Sequence, residues 1–96
     1  MALGLIARLV IHAGKSEEFE AGFKKLQTVV ANTEAGNRYY ELHKSRNSDN
    51  TYIVMEQYDD QPSLDLHGKS EEFKAASAAI GGCLASTPQI EIMDVV

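Results

Sequence analysis

The stretch RYYELHKSRNSDNTYIVMEQY, residues 38–58, holds two alternating runs on either side of a polar turn. Residues 38–45 and 51–58 each read as a strand, because every second side chain of a pleated ribbon shares a face. Between them, Asn47-Ser48-Asp49-Asn50 supplies residues that tolerate turn conformations. A β-hairpin therefore sits at the centre of the chain.

Each flank of the hairpin supplies a helix and then a strand. Upstream, Phe19, Phe23, Leu26 and Val30 recur at steps of four, three and four, which is one face of a helix over 16–33. Ser16 is the expected N-cap, and Glu17-Glu18 lie where the helix dipole favours negative charge. Gly36 ends that helix, and Gly14 separates it from a first strand over 3–12 (LGLIARLVIH). Downstream, Asp60 with Pro62 marks a helix start. This short helix holds Leu64 and His67 and closes at Gly68. Ser70 caps the next helix, with Phe73, Ala76, Ile80 and Leu84 on its inner face. Gly81-Gly82 weakens its end, and Pro88 precedes a last strand over 89–96 (QIEIMDVV). KSEEF opens the main helix of each half, at 15–19 and 69–73; Ser-Glu-Glu is favourable capping chemistry used twice. The order is β-α-β-β-α-β. It predicts an α+β, ferredoxin-like domain spanning 1–96, a four-stranded antiparallel sheet with helices on one face.

The composition excludes several classes. The net charge is −5, and Lys24-Lys25 is the only adjacent pair among nine basic residues, so nucleic acid is not an expected partner. The longest apolar run, Leu9-Val10-Ile11, is far short of a membrane span, and no signal peptide is visible at the N-terminus. Cys83 is the only cysteine, which excludes an internal disulfide and fits a reducing cytoplasm. His12, His43 and His67 have no metal-ligand spacing, and neither a P-loop nor a GxGxxG is present.

The strands carry apolar residues on both faces. Leu5, Ala7, Leu9 and Ile11 oppose Ile6 and Val10; Tyr52 and Val54 oppose Ile53 and Met55; Ile90 and Ile92 oppose Met93 and Val95. Two helices cover one face of a four-stranded sheet, and 96 residues leave nothing for a third layer. Leaving side chains such as Ile or Met wet forgoes about 1.5–3 kcal/mol each. A second copy of the sheet is the simplest cover, so a homodimer packed face to face is expected.

Four positions beside His67 are candidates for chemistry. His67 lies three residues after Leu64 and so faces inward; it is either a proton acceptor in a pocket or a core histidine held by hydrogen bonds. Tyr40 and Tyr58 stand on facing strands with Glu56 beside Tyr58, either orienting an aromatic substrate or packing as core aromatics. Arg8 interrupts an apolar strand. It either meets an anionic ligand or pairs with Glu56, Glu91 or Asp94.

Glu34-Ala35-Gly36-Asn37 followed by Tyr40-Glu41-Leu42 resembles the E-P-G-x-x-x-Y-x-x segment of the antibiotic biosynthesis monooxygenase domain family. Met55-Glu56-Gln57-Tyr58-Asp59-Asp60 resembles its Y-E-x-W-x-D segment. Leu64-x-x-His67 with Ser70-x-x-Phe73 resembles its A-L-x-x-H-x-x-S-x-x-F segment. Ala35 replaces the Pro of the first, while Met55 and Tyr58 replace the aromatics of the second. The resemblance implies a dimeric α+β barrel with a pocket between sheet and helices in each subunit. Members of that family include cofactor-independent oxygenases of quinols and aromatic polyketides, while others degrade haem, process a phosphorylated signalling ketone or have no known activity. The haem-degrading branch requires Asn, His and Trp where this chain has Ala7, Ser77 and His67, so that activity is rejected.

Three functions follow as expectations. In the first, a cofactor-free monooxygenase, the substrate anion itself reduces O₂. His67 accepts the proton, Tyr40 or Tyr58 orients or donates, and Arg8 stabilises charge if it faces the pocket. The second is proton transfer on a small ketone or phosphorylated sugar, without O₂. The third is a non-catalytic ligand-binding or stress-related dimeric module.

Overall fold

A computed structural model describes residues 1–96. The elements are β1 (Leu3–Val10), α1 (Ser16–Thr33), β2 (Asn37–Lys44), β3 (Thr51–Tyr58), α2 (Gln61–Lys69), α3 (Glu71–Ala78) and β4 (Gln89–Asp94). A 3₁₀ turn, Gly81–Cys83, lies between α3 and β4. The strands form one antiparallel sheet in the order β2-β3-β1-β4. This is the ferredoxin-like arrangement that the element order predicts.

The helices form where their inward stripes find the sheet. Phe19, Phe23, Leu26 and Val30 of α1 are all buried, against Leu5, Leu9, Tyr52, Val54 and Tyr58 of the same core. Lys15, not Ser16, is the N-cap of α1, and no side chain caps that end. Ser16 is already helical, so the first turn relies on Glu17 and Glu18 to complement the dipole. Asp60 caps α2 by accepting the Ser63 N–H at 2.9 Å, with Pro62 in the first turn. Ser70 ends α2 and caps α3, accepting the Phe73 N–H at 3.1 Å. One serine therefore sets the angle between the two helices.

Three boundaries differ from expectation. β1 stops at Val10; Ile11 and His12 instead bond the hairpin turn and the 3₁₀ turn, through Ile11 N–H to Asn50 O and His12 N–H to Cys83 O, both 2.8 Å. β4 stops at Asp94. α3 stops at Ala78, so Ile80 reaches the core from the following turn rather than from the helix. There Ile80 packs onto Gly22, where any Cβ would overlap the isoleucine side chain. Gly22 thus lets α1 and α3 approach closely.

The sheet face away from the helices carries Ile6, Val10, Ile53, Met55 and Met93, none of them fully buried, and Met55 is 41% exposed. Arg8, Glu41, Gln57, Gln89 and Glu91 lie among them on the same face. No helix is long and apolar enough to cross a membrane.

Candidate active site

The cross-strand register assembles one row on the helix side of the sheet. Tyr40 of β2 stands opposite Glu56 of β3, which stands opposite Leu5 of β1. Tyr58 lies two residues beyond Glu56 on the same face, and its hydroxyl donates to Glu56 Oε1 at 2.8 Å. His67 descends on this row from α2. Its spacing of three from Leu64 buries both residues. The imidazole is surrounded by rings: Phe73 at 4.2 Å, Tyr58 at 5.3 Å and Tyr40 at 6.1 Å between centroids. Tyr40 in turn stacks on Phe23 at 5.1 Å, nearly parallel.

The two nitrogens of His67 have different surroundings. Nδ1–H donates to Glu34 Oε1 at 2.7 Å. Glu34 is the residue that follows α1, and its side chain is only 6% exposed. Nε2 stands 3.8 Å from Glu56 Oε1, beyond hydrogen-bond length. With Nδ1 carrying its proton toward a carboxylate, neutral His67 presents the Nε2 lone pair. This is the orienting arrangement of a carboxylate–imidazole dyad.

Burial sets the ionisation of the neighbours. Glu56 is pushed up to about 7, first because burial disfavours its charged form and also because Glu34 repels it; the Tyr58 hydrogen bond opposes the rise. Burial, reinforced by the charges of Glu56 and Glu34, drives the Tyr40 and Tyr58 hydroxyls well above the ordinary phenolic range. Both tyrosines stay protonated at neutral pH, while Glu56 can hold or release a proton there.

His67, Glu56 and Tyr40 line a cavity of about 290 Å³ between sheet and helices, twelve of whose sixteen lining residues are hydrophobic. Its lining contains no Lys or Arg. Leu5, His67 and Ile90 also border a groove between α2 and β4, so the cavity opens there. Register puts Ile90 and Ile92 on the helix side, opposite Ala7 and Leu5, yet they are 62% and 56% exposed because no helix covers this edge strand.

The sequence-predicted residues are thus only partly brought together. His67, Glu56, Tyr40 and Tyr58 are contiguous. Arg8 is a correction: it is exposed on the opposite sheet face, paired across strands with Ile53 and Gln89, because β1 alternation sends Ala7 and Leu9 inward. It can neither bind a ligand in this cavity nor pair with Glu56. Sequence reasoning also passed over Glu34. It lies just past a helix end, where periodicity carries no information. The only available signal was its place at the head of the Glu34-Ala35-Gly36-Asn37 segment.

The chain matches the antibiotic biosynthesis monooxygenase family over residues 2–79. It is similar to a Caulobacter crescentus structure carrying the same family description, at 37% identity and a TM-score of 0.94, over 99% of this chain and 90% of that one. A conserved Methanosarcina mazei protein is 25% identical with a TM-score of 0.86, over 96% and 90% of the two chains. A variant of SnoaB, a cofactor-independent oxygenase from Streptomyces nogalater, shares the fold at 18% identity and a TM-score of 0.84, over 98% and 92%. No curated protein matches the chain. The match spans most of the sequence and takes in all four contiguous site residues, and the chain belongs to the antibiotic biosynthesis monooxygenase family.

Proposed function

We propose that this protein is a cofactor-independent monooxygenase for a small, neutral quinol or phenol, and that it works as a homodimer in the cytoplasm. The observation that carries the reading is His67. It lines an apolar cavity while a buried carboxylate holds Nδ1, which leaves Nε2 without a hydrogen-bond partner, 3.8 Å from Glu56. Removing a phenolic proton needs a base positioned where water does not compete, and the Glu34 carboxylate stabilises the imidazolium that results. The ligand anion then reduces O₂ by one electron. The radical pair joins at a ring carbon, and the hydroperoxide loses water to leave a carbonyl. Phenol plus O₂ gives quinone plus water, so the substrate supplies every electron. Glu56, titrating near 7, donates the proton that the departing water needs. Tyr40 packs the ring.

The volume lies at the small end of ligand sites, which run from roughly 300 Å³ upward, and suits one or two fused rings. A phosphorylated ketone fits poorly, because the lining offers no Lys or Arg, and its one carboxyl group, Glu56, repels an anion whenever it is ionised. The uncovered sheet face with Ile6, Ile53 and Met55 supports the dimer.

O₂ uptake with dihydroxynaphthalenes tests the reading. Wild type is expected to consume one O₂ per quinone formed, and His67→Ala to lose at least a hundredfold in kcat. Equal rates remove His67 from the mechanism. Saturable binding without uptake identifies a binding module, and turnover without O₂ identifies proton-transfer chemistry.

A further inference from the structure

Glu34 stands between two separate spaces. On one side it holds His67, which lines the apolar cavity. On the other it lines a polar cleft on the outside of the helices, with Ala35, Gly36, Asp59, Ser63 and Ser70, where the end of α1 meets the α2–α3 junction. The cleft and the cavity have no lining residue in common: Glu34 lines the cleft, His67 lines the cavity, and the hydrogen bond between them bridges the two. Glu34 Oε1 is occupied by His67, but Oε2 is buried and bonds no protein group. A carboxylate that served only to orient an imidazole would be expected to have both oxygens satisfied by the fold, because an unpaired buried acceptor costs about 1–3 kcal/mol.

The charged and titratable groups around this carboxylate give it no other partner. His67 faces it from α2, Glu56 and Tyr58 from β3, and Tyr40 from β2, while Asp59, Lys69, Glu71 and Glu72 line the cleft. None of the cleft groups forms an ion pair with it. A polar cleft accommodates water, and water is the natural proton carrier at its floor.

We propose that Glu34 is a proton port: protons pass between His67 and bulk solvent through Glu34 and the outer cleft, while the organic ligand uses the opposite opening beside β4. The inference rests on the base role assigned to His67. When the ligand ionises, its O–H breaks and an N–H forms at Nε2. The Nδ1–H then breaks, an O–H forms on Glu34, and that proton goes to cleft water. Protonation of the peroxide later draws one proton back by the same route, so the overall reaction stays proton-neutral. The consequence is that the ligand anion forms and persists even while the ligand plugs its own entrance.

Anaerobic mixing tests this without oxygen chemistry. A dihydroxynaphthalene is mixed with weakly buffered protein and a pH indicator. Wild type is expected to release about one proton per site as the phenolate absorbance appears. Glu34→Gln is expected to slow that release at least tenfold. Ala35→Phe and Leu66→Trp fill the cleft from exposed positions that do not line the cavity, and each is expected to slow release several-fold. Wild-type release rates in Glu34→Gln, or in both cleft-filled variants, overturn the port. If no dihydroxynaphthalene ionises in wild type, the functional reading fails instead, and the free protein still decides the port. In Glu34→Ala, ¹⁵N spectra of His67 should shift away from the Nδ1–H tautomer, and formate should restore it. Restoration that persists undiminished when Ala35→Phe is added shows that the acid does not arrive through the cleft, and the port is wrong.

Discussion

Glu34 Oε1 lies 2.7 Å from His67 Nδ1, a contact that joins the end of α1 to the last turn of α2 across 33 positions of sequence. It ties together two helices that otherwise meet chiefly through the sheet and α3. Removing His67 leaves a buried carboxylate with neither oxygen bonded, which costs about 2–3 kcal/mol. His67→Ala is therefore expected to lose that much in urea unfolding. Adding Glu34→Ala to it should cost less than the two single losses together, by about 1–2 kcal/mol. Strictly additive losses would show that the pair is not coupled.

Glu56 makes stability depend on pH in a defined direction. Its carboxyl titrates at about 7 when folded and near 4.5 when free. Between those values the unfolded chain has released the proton that the folded chain retains. Stability from this group is complete below pH 4.5, falls as pH rises, and is lost once pH passes about 7. The shift corresponds to about 3 kcal/mol. Glu56→Gln keeps an acceptor for Tyr58 and does not titrate. It is expected to match wild type at pH 4 and to exceed it by up to about 3 kcal/mol at pH 8. Melting curves that stay parallel across this window would contradict the assignment.

The contact between Gly22 and Ile80 predicts a sign reversal. Alanine in a helix interior is favoured over glycine by about 1 kcal/mol, yet a Cβ at position 22 overlaps Ile80. Overpacking of this kind costs about 1–3 kcal/mol. Gly22→Ala is expected to destabilise the protein by about 1 kcal/mol. In an Ile80→Ala background the same change should stabilise it, as thermal melts of the four proteins would reveal.

The exposed sheet face predicts how the oligomer is broken. Ile53 lies on that face, opposite Arg8. Ile53→Glu replaces an apolar side chain of the proposed interface with a charge, without touching the cavity. Light scattering should give about twice the 10.5 kDa chain mass for wild type and the single-chain mass for the variant. A wild-type monomer at micromolar concentration would refute the dimer.

The fold was largely legible because the helix and strand periods are clean. Phe19, Phe23, Leu26 and Val30 recur at helical spacing, and Tyr52, Val54, Glu56 and Tyr58 all face inward at strand spacing. The ends of β1, β4 and α3 were less legible, since Ile11, Val95 and Ile80 are apolar for reasons other than continuing an element. In the site, His67, Glu56 and the tyrosines were accessible from periodicity. Arg8 was misplaced because a lone charge in an apolar strand does not say which face it takes until the register is known. Glu34 was missed because its role depends on the turn that brings Asp60, and with it α2, beside the end of α1. That tertiary contact has no local pattern.

The alternation of β3 also has an evolutionary consequence. Its inward set includes the acid and the phenol, Glu56 and Tyr58, whereas Ile53, Met55 and Gln57 point outward. One residue inserted after Val54 would turn Met55 inward and Glu56 outward. The lineage would keep a greasy, foldable shell and lose its acid in a single genetic event. Parity therefore becomes a genealogical marker. Glu56 follows the inward-facing Tyr52 and Val54 at even spacing; relatives in which an insertion makes that spacing odd would turn the carboxyl to the outer face, so counting residues along this one strand would separate chains that keep an inward acid from chains that do not.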